Sequence, residues 1–131
     1  MAITKTATTF HAASTVGAGL TRTNAQRLSS LDVSGYRRGT VTYELANGVN
    51  APGAAPQLVL QQSNDGGTTW RDFALVGGNT TSSGATAYTD PAGMPTGSVD
   101  IPPGAKMLGA VCYGHTTNSV RVTLEFSGEV G

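Results

Sequence analysis

Apolar side chains in this chain recur at every second position in short runs, and no helical spacing persists for any convincing length. The clearest run lies near the end, where Val120, Val122, Leu124 and Phe126 alternate with Arg121, Thr123 and Glu125. Successive side chains of a strand point to opposite faces, so this alternation specifies a strand with one buried and one wet face. Val41, Tyr43 and Leu45 repeat the pattern against Thr40, Thr42 and Glu44, and Leu31 and Val33 begin it. Leu58 and Leu60 stand among Gln57, Val59 and Gln61, before Ser63-Asn64-Asp65-Gly66-Gly67 and a second apolar run, residues 70–76. Asp-Gly between two β-rich runs predicts a hairpin, because glycine accepts the positive φ of a tight turn.

Turn chemistry separates the remaining runs. The stretch NGVNAPGAAP at residues 47–56 is a loop, as is GGNTTSSGA from residue 77. A short strand is expected at residues 86–89, a turn at Asp90-Pro91, and a brief strand at Val99 and Ile101 before Pro102-Pro103-Gly104. With residues 107–113 and 120–126 the count reaches seven or eight short strands and no internal repeat. That spacing is the signature of an all-β sandwich or barrel, and an antiparallel β-sandwich is the form expected.

At 131 residues the chain supports one core and is too short for two. Residues 1–27, rich in Thr, Ala and Ser without a sustained period, read as an extended N-terminal arm or loosely attached strand, with the sandwich at 28–131. Deleting residues 1–20 is expected to leave the fold intact. Only 12% of residues are charged and the formal net charge is +0, yet residues 1–38 carry Lys5, Arg22, Arg27, Arg37 and Arg38 against Asp32 alone. A basic leading segment suits an acidic partner surface, although charges this sparse make a weak field. A lone cysteine, Cys112, excludes an intrachain disulfide, so packing or association must hold the fold. No signal-like segment and no run near the ~20 apolar residues of a membrane span is visible, which predicts a cytoplasm-like setting or carriage within a particle, with no membrane partner.

Two strands depart from clean alternation. Residues 107–113 set Met107, Val111 and Tyr113 against Leu108, Ala110 and Cys112, and residues 70–76 set Trp70, Ala74 and Val76 opposite Phe73 and Leu75 unless a bulge shifts the register. A strand apolar on both faces is covered either by an arm or by another subunit, and a subunit contact is the stronger expectation.

Catalytic and metal chemistry find no support. Gly17 and Gly19 lack the third glycine and preceding strand of a dinucleotide loop, His11 and His115 are far apart, and Cys112 has no second cysteine at ligand spacing. Cys112 near His115 suggests a nucleophile and base, but a lone strand cysteine is usually a small buried hydrophobe. Asn64 and Asp65 make half a calcium loop without the later carboxylates, and turn chemistry accounts for them. Asp65, Asp72, Asp90 and Asp100 fall at turns or on wet faces rather than in a catalytic pair, and Asn79-Thr80-Thr81 is a glycosylation acceptor relevant only to secretion. Trp70, Tyr36, Tyr43, Tyr88 and Tyr113 offer a stacking platform for sugars or bases, but a nucleic-acid partner would need a dense basic stripe that is missing. The expectation is a non-enzymatic protein with no cofactor.

The segment Leu58-Val59-Leu60-Gln61-Gln62-Ser63-Asn64-Asp65-Gly66-Gly67-Thr68-Thr69-Trp70 resembles a hairpin common in virion proteins of tailed bacteriophages, in which an apolar strand runs into Ser-Asn-Asp-Gly and then Thr and Trp. Together with the size, the Thr-rich basic arm and the all-β remainder, it resembles the small jelly-roll cement, or decoration, proteins of phage heads, such as that of short-tailed Bordetella phages. The motif covers about a tenth of the chain and also occurs in tail-fibre and baseplate modules. The resemblance implies a jelly-roll sandwich on the capsid exterior of the virion, a homo-oligomer (dimer or trimer) bound to the major capsid protein. Under it, Lys5, Arg22 and Arg27 of the arm would meet the shell, and the doubly apolar strands carrying Trp70 and Met107 would join copies. The other reading is a tail-fibre or baseplate module that binds a receptor or carbohydrate through exposed aromatic rings.

Overall fold

The computed structural model describes residues 4–48, 52, 56–76 and 96–130. The described residues form nine strands and no helix: β1 (Thr4–Val16), β2 (Gln26–Arg27), β3 (Leu31–Asp32), β4 (Arg38–Asn47), β5 (Gln57–Ser63), β6 (Arg71–Val76), β7 (Thr96–Asp100), β8 (Met107–Tyr113) and β9 (Val120–Val130). The loop expected at 47–56 lies largely outside the described residues. So do the loop from residue 77, the strand expected at 86–89, the turn at Asp90-Pro91, Asn79 and Tyr88.

The strands form two antiparallel sheets. The first has the order β1-β9-β4-β7, and the second β2-β8-β5-β6 with β3 also paired to β8. The first strand thus pairs with the last, and the short second and third strands pair with the next to last. This wrapping of one long hairpin over itself is a jelly roll. Inward residues of both sheets build one core from Val16, Val41, Leu45, Leu58, Leu60, Leu108, Cys112, Val122, Leu124 and Phe126. The alternation read in residues 120–126 holds as far as Gly128, the strand itself runs on to an exposed Val130, and Ile101 lies just past β7 and is buried without being part of it.

Phe126 needs a particular arrangement around its ring. Gly39 and Gly128 are direct partners in the β4–β9 ladder, and a Cβ on either would run into the Phe126 ring. Tyr36 then meets that ring edge-on, with centroids 5.0 Å apart and planes at 79°. Two glycines side by side in neighbouring strands therefore make the floor on which the largest core side chain lies.

The leading segment is extended, but most of it is a docked strand. β1 pairs with β9 from Thr4 opposite Val130 to Val16 opposite Val120, with irregularities on either side of His11. Val16 is fully buried in the core, and Phe10 packs against it. The chain then runs beside β8. The Gly19 N–H donates to the His115 carbonyl, Gly114 N–H to Leu20, Leu28 N–H to Ala110 and Val33 N–H to Lys106. This pairing argues against the expectation that residues 1–20 can be removed with the fold intact. Removing them would strip β9 of a neighbour and open the core at Val16.

The second apolar face of β8 is covered by the chain itself, against the expectation of a subunit contact there: Val111 and, beside it on β5, Val59 are 6% and 4% exposed. In β6 the register shifts between Leu60 and Gln61, which pair with Ala74 and Asp72. This bulge lets Phe73 and Ala74 both pack toward the core and turns Leu75 outward, 62% exposed.

His11 clips the edge strand to the following segment. Its Nδ1 accepts the Ser29 backbone N–H at 3.2 Å and lies 3.0 Å from Ser29 Oγ, which fixes the neutral ring with its proton on Nε2. Burial holds the His11 pKa below the ordinary 6.5.

Two outcomes are expected. Phe126→Ala should cost about 3–5 kcal/mol in chemical denaturation, the range for emptying a buried phenylalanine site. Because the unfolded chain binds a proton at His11 that the native ring refuses, stability should fall as pH drops below 6.5. Denaturation midpoints across that range, compared with His11→Gln, would check it: an equal slope in both proteins rules His11 out as its source.

Candidate functional site

The outward face of the β2-β8-β5-β6 sheet gathers four of the five residues singled out from the sequence. Arg27 on β2, Val111 on β8, Val59 on β5 and Leu75 on β6 are successive partners across the sheet and form one row. In the adjacent row Gly109, Gln61 and Asp72 are partners. Gly109 leaves room for Trp70: a Cβ there would lie 2.8 Å from the indole ring and 3.3 Å from an Arg27 guanidinium nitrogen. The Arg27 guanidinium carbon is 4.5 Å from the Trp70 ring centroid. Met107 approaches the same corner, since Met107 Sδ and the Trp70 ring are each 3.5 Å from where a Cβ on Gly67 would stand.

The hairpin that presents Trp70 is locked by its polar residues. Ser63 Oγ donates to Asp65 at 2.8 Å and accepts the Gly67 N–H at 2.9 Å, while Asp65 accepts the Thr69 N–H at 2.8 Å. Gly66 and Gly67 take φ values of 75° and 95°, as the Asp-Gly turn requires. The Thr69 N–H, with the Ser63 hydroxyl, holds the Asp65 carboxyl down at about 2, so it stays ionised as a turn lock.

A chain of hydrogen bonds crosses the face. Arg27 donates to Gln61 Oε1 at 2.8 Å, Gln61 Nε2 donates to Asp72 at 2.7 Å, and Arg22 donates to both Asp72 oxygens at 2.8 and 2.9 Å. Arg22 also lies 5.8 Å from the Tyr113 ring centroid, so it spans from β8 to β6 across β5. The Gln61 bond, followed by Arg22, keeps the Asp72 carboxyl below the usual carboxylate range against the opposing effect of burial. Burial, with the nearby Arg22 charge, lowers Arg27. The ion pair is open to water, 45% and 52% exposed, and such pairs contribute only about 0.2–1 kcal/mol. The buried Gln61 amide does more to hold the geometry, because leaving it unpaired would cost about 1–3 kcal/mol.

Lys5 does not join this cluster. It lies in β1, opposite Glu129 in register, on the other sheet. Of the aromatic residues considered as a platform, Tyr36 packs on Phe126, and Tyr43 packs against the core. Among the described residues only Trp70 and Tyr113 share the open face, each with a guanidinium over its ring. The part played by Gln61 was not foreseen. Its one sequence signal is an amide directly after the apolar run Leu58-Val59-Leu60.

Among the described residues, two surface hollows adjoin these groups or the other sheet. One of about 650 Å³ lies over the β9-β4-β7 sheet, where Arg38 pairs with Glu129 at 3.0 Å and the Thr40 hydroxyl donates to Asp100 at 3.0 Å. A smaller one of about 370 Å³ lies between Arg22, Val59, Asp72, Phe73, Leu75 and Tyr113.

Among the described residues the sequence candidates for catalysis do not assemble; Asp90 lies outside them. Cys112 is fully buried and burial pushes its thiol up to about 12, so it carries no thiolate at neutral pH. His115 Nε2 donates to the Val16 carbonyl at 3.0 Å, and its buried Nδ1 has no partner. Among the described residues no three of His, Cys, Asp and Glu come together as a metal site. A maleimide should therefore label Cys112 only in denaturant; rapid labelling of the native protein would contradict its burial.

No family model matches the chain, and no curated protein matches it. Among solved structures it is similar to the SPBc2 prophage-derived protein YomS, with a TM-score of 0.53 and 14% identity over 98% of this chain and 96% of that one. It is also similar to VP2 of the infectious bursal disease virus subviral particle, with a TM-score of 0.52 and 12% identity over 98% of this chain but 32% of that one. A family 29 carbohydrate-binding module aligns over 98% of this chain and 94% of its own at 12% identity, with a TM-score of 0.41 too low to carry an argument. At these identities the likeness is one of fold, the two-sheet antiparallel sandwich.

Proposed function

We propose that this chain is a non-enzymatic structural protein of a bacteriophage particle, a cement protein that binds the exterior of the head and ties neighbouring capsomers. The observation that carries the reading is the convergence of Arg27, Trp70 and Met107 on one open sheet face. Arginine, tryptophan and methionine are enriched where proteins meet, and among the described residues Arg27 has only the neutral Gln61 as its hydrogen-bonded partner. Further support comes from the Ser-Asn-Asp-Gly hairpin that presents Trp70, a form resembling those of phage virion proteins. The whole-length likeness in fold to a prophage-derived protein agrees with it.

In this reading the partner is the major capsid protein, and the face around Arg27 accepts an acidic patch on it. Lys5, on the opposite sheet, lies outside that contact. Binding across a capsomer boundary that exists only in the assembled shell stabilises that shell by mass action. No step of chemistry is involved, and neither a cofactor nor nucleic acid takes part.

A tail-fibre or baseplate module that binds a receptor or carbohydrate is the alternative, and Trp70 with Tyr113 is the feature that favours it. Against it, the guanidinium groups of Arg27 and Arg22 already engage the two rings, leaving less aromatic surface for a sugar to stack on.

Quantitative mass spectrometry of purified particles separates the two. Cement predicts a copy number comparable to that of the major shell protein, and a tail module a small one; absence from particles would overturn both. Arg27→Glu should weaken binding to empty shells about tenfold or more, as loss of an interface arginine does. Unchanged binding would remove this face from the contact.

A further inference from the structure

We infer that the hollow of about 650 Å³ over the first sheet is a binding site for a neutral saccharide, separate from the face that carries Arg27 and Trp70. The ligand is held by hydrogen bonds to Arg38, Asp100 and Glu129 and by contact with Pro103, without an aromatic ring among the described lining residues. Binding itself is independent of the cement reading, and only the direction in which the site faces rests on it.

The register of three strands builds the site. Thr40 of β4 is paired with Ser127 of β9 on one side and Asp100 of β7 on the other, and Arg38 is paired with Glu129 in the next row of the same face. Residues two apart on a strand share a face at a spacing of about 7 Å, and neighbouring strands lie about 4.8 Å apart. The polar groups are therefore spread over the area of a sugar ring or more, rather than converging on one point as a metal ion requires. The wall of the site is a tight turn. β7 is followed by Ile101-Pro102-Pro103-Gly104, where the Ala105 N–H donates to the Pro102 carbonyl at 3.2 Å and Gly104 takes a φ of 81°, as a type II turn requires of its third residue. This turn sets Pro103 in the lining of the hollow, next to the buried Ile101.

The chemistry of the lining selects the class of ligand. Among the described residues Arg38 is bonded to Glu129 through Nε alone, at 3.0 Å, which leaves its terminal nitrogens as donors. Asp100 accepts the Thr40 hydroxyl at Oδ1, which leaves Oδ2 as an acceptor. A sugar hydroxyl both donates and accepts, so it answers carboxylate and guanidinium alike, and bonds to charged groups are the stronger kind. The Pro103 ring takes an apolar C–H face. One guanidinium against two carboxylates makes the lining net negative, which disfavours phosphate and other anions. Glu129 is already paired to Arg38, and no three ligating groups meet among the described residues, so a metal ion is not held. An apolar ligand would strip water from the polar side chains without replacing their bonds. The volume is that of a small-molecule site, about 300–1,000 Å³. The outward faces of the two sheets point in opposite directions, so a chain held to a shell through Arg27 and Trp70 turns this hollow toward the surrounding medium.

NMR titration of the full chain in free solution tests the site, with the methyl glycosides of glucose, galactose, mannose and N-acetylglucosamine, and with lactose and maltose, as probes. At least one probe should shift the backbone amides of Thr40, Asp100 and Ser127 saturably and leave the Trp70 indole unmoved. Arg38→Ala and Asp100→Ala should each weaken that binding about tenfold or more, the loss of a hydrogen bond to a charged group, whereas Arg27→Glu should not change it. Arg38 and Asp100 are exposed, and circular dichroism confirms that each variant folds. Asp100→Ala should bind shells as the wild type does, so failure of this site and failure of the cement reading are read separately. No saturable shift with any probe, shifts centred on Trp70 and Tyr113, displacement of the sugar by inorganic phosphate, or Arg38→Ala and Asp100→Ala chains that bind as tightly as the wild type would each overturn the inference.

Discussion

The ladder between the first strand and the last is the constraint on which the rest of the molecule depends. A buried backbone must find partners for its N–H and C=O groups, and β9 finds them on one side in β4 and on the other in β1. Once β1 is held there, its end at Val16 is fixed inside the core, and the chain leaves it at the edge of the second sheet. Residues 17–33 then have one favourable path, alongside β8, which they follow through four backbone hydrogen bonds and the short strands β2 and β3. A segment without apolar periodicity of its own becomes ordered because the strands beside it need partners.

That path delivers Arg22 and Arg27 to the outward face of the second sheet. Both arginines have long apolar stems and planar heads, which suits them to lie over aromatic rings while staying charged. Trp70 can approach the sheet this closely only because Gly109 has no side chain, and Phe126 is accommodated on the other sheet by Gly39 and Gly128 in the same way. Each glycine pays its role through absence of bulk rather than through unusual backbone angles. The buried Gln61 amide links the two arginines through Asp72, so the face is one connected surface.

Much of the sandwich was legible in the residues. The strands around Val41, Leu58 and Val120 follow from alternation, the strand from Met107 from a short apolar run, and the 63–67 turn from Asp-Gly. The site was legible only in part. Arg22, Arg27, Trp70 and Met107 were recognisable as candidates by type, but they were assigned to two contacts, with Lys5 in the first. The structure brings the four onto one face and leaves Lys5 on the other sheet. The apolar second face of β8 suggested a neighbouring subunit, whereas Val111 is covered by the same chain. Local pattern cannot distinguish these cases, because the covering residues come from far along the chain: Arg22 reaches Asp72 fifty residues away.

By itself, the sequence determined what depends on neighbours along the chain: period-two alternation, glycine and proline at turns, the absence of a helical stripe, and so two sheets with one core. The tertiary structure alone decided what depends on register between distant strands. It set Leu75 outward through a bulge opposite Leu60 and Gln61, folded the leading segment onto β9 and β8, and put Arg27, Val111, Val59 and Leu75 in one row. The physical reason is that side-chain periodicity is a property of a single strand, whereas adjacency across a sheet is created by hydrogen bonds between strands, and a one-residue shift in those bonds changes which face a side chain occupies.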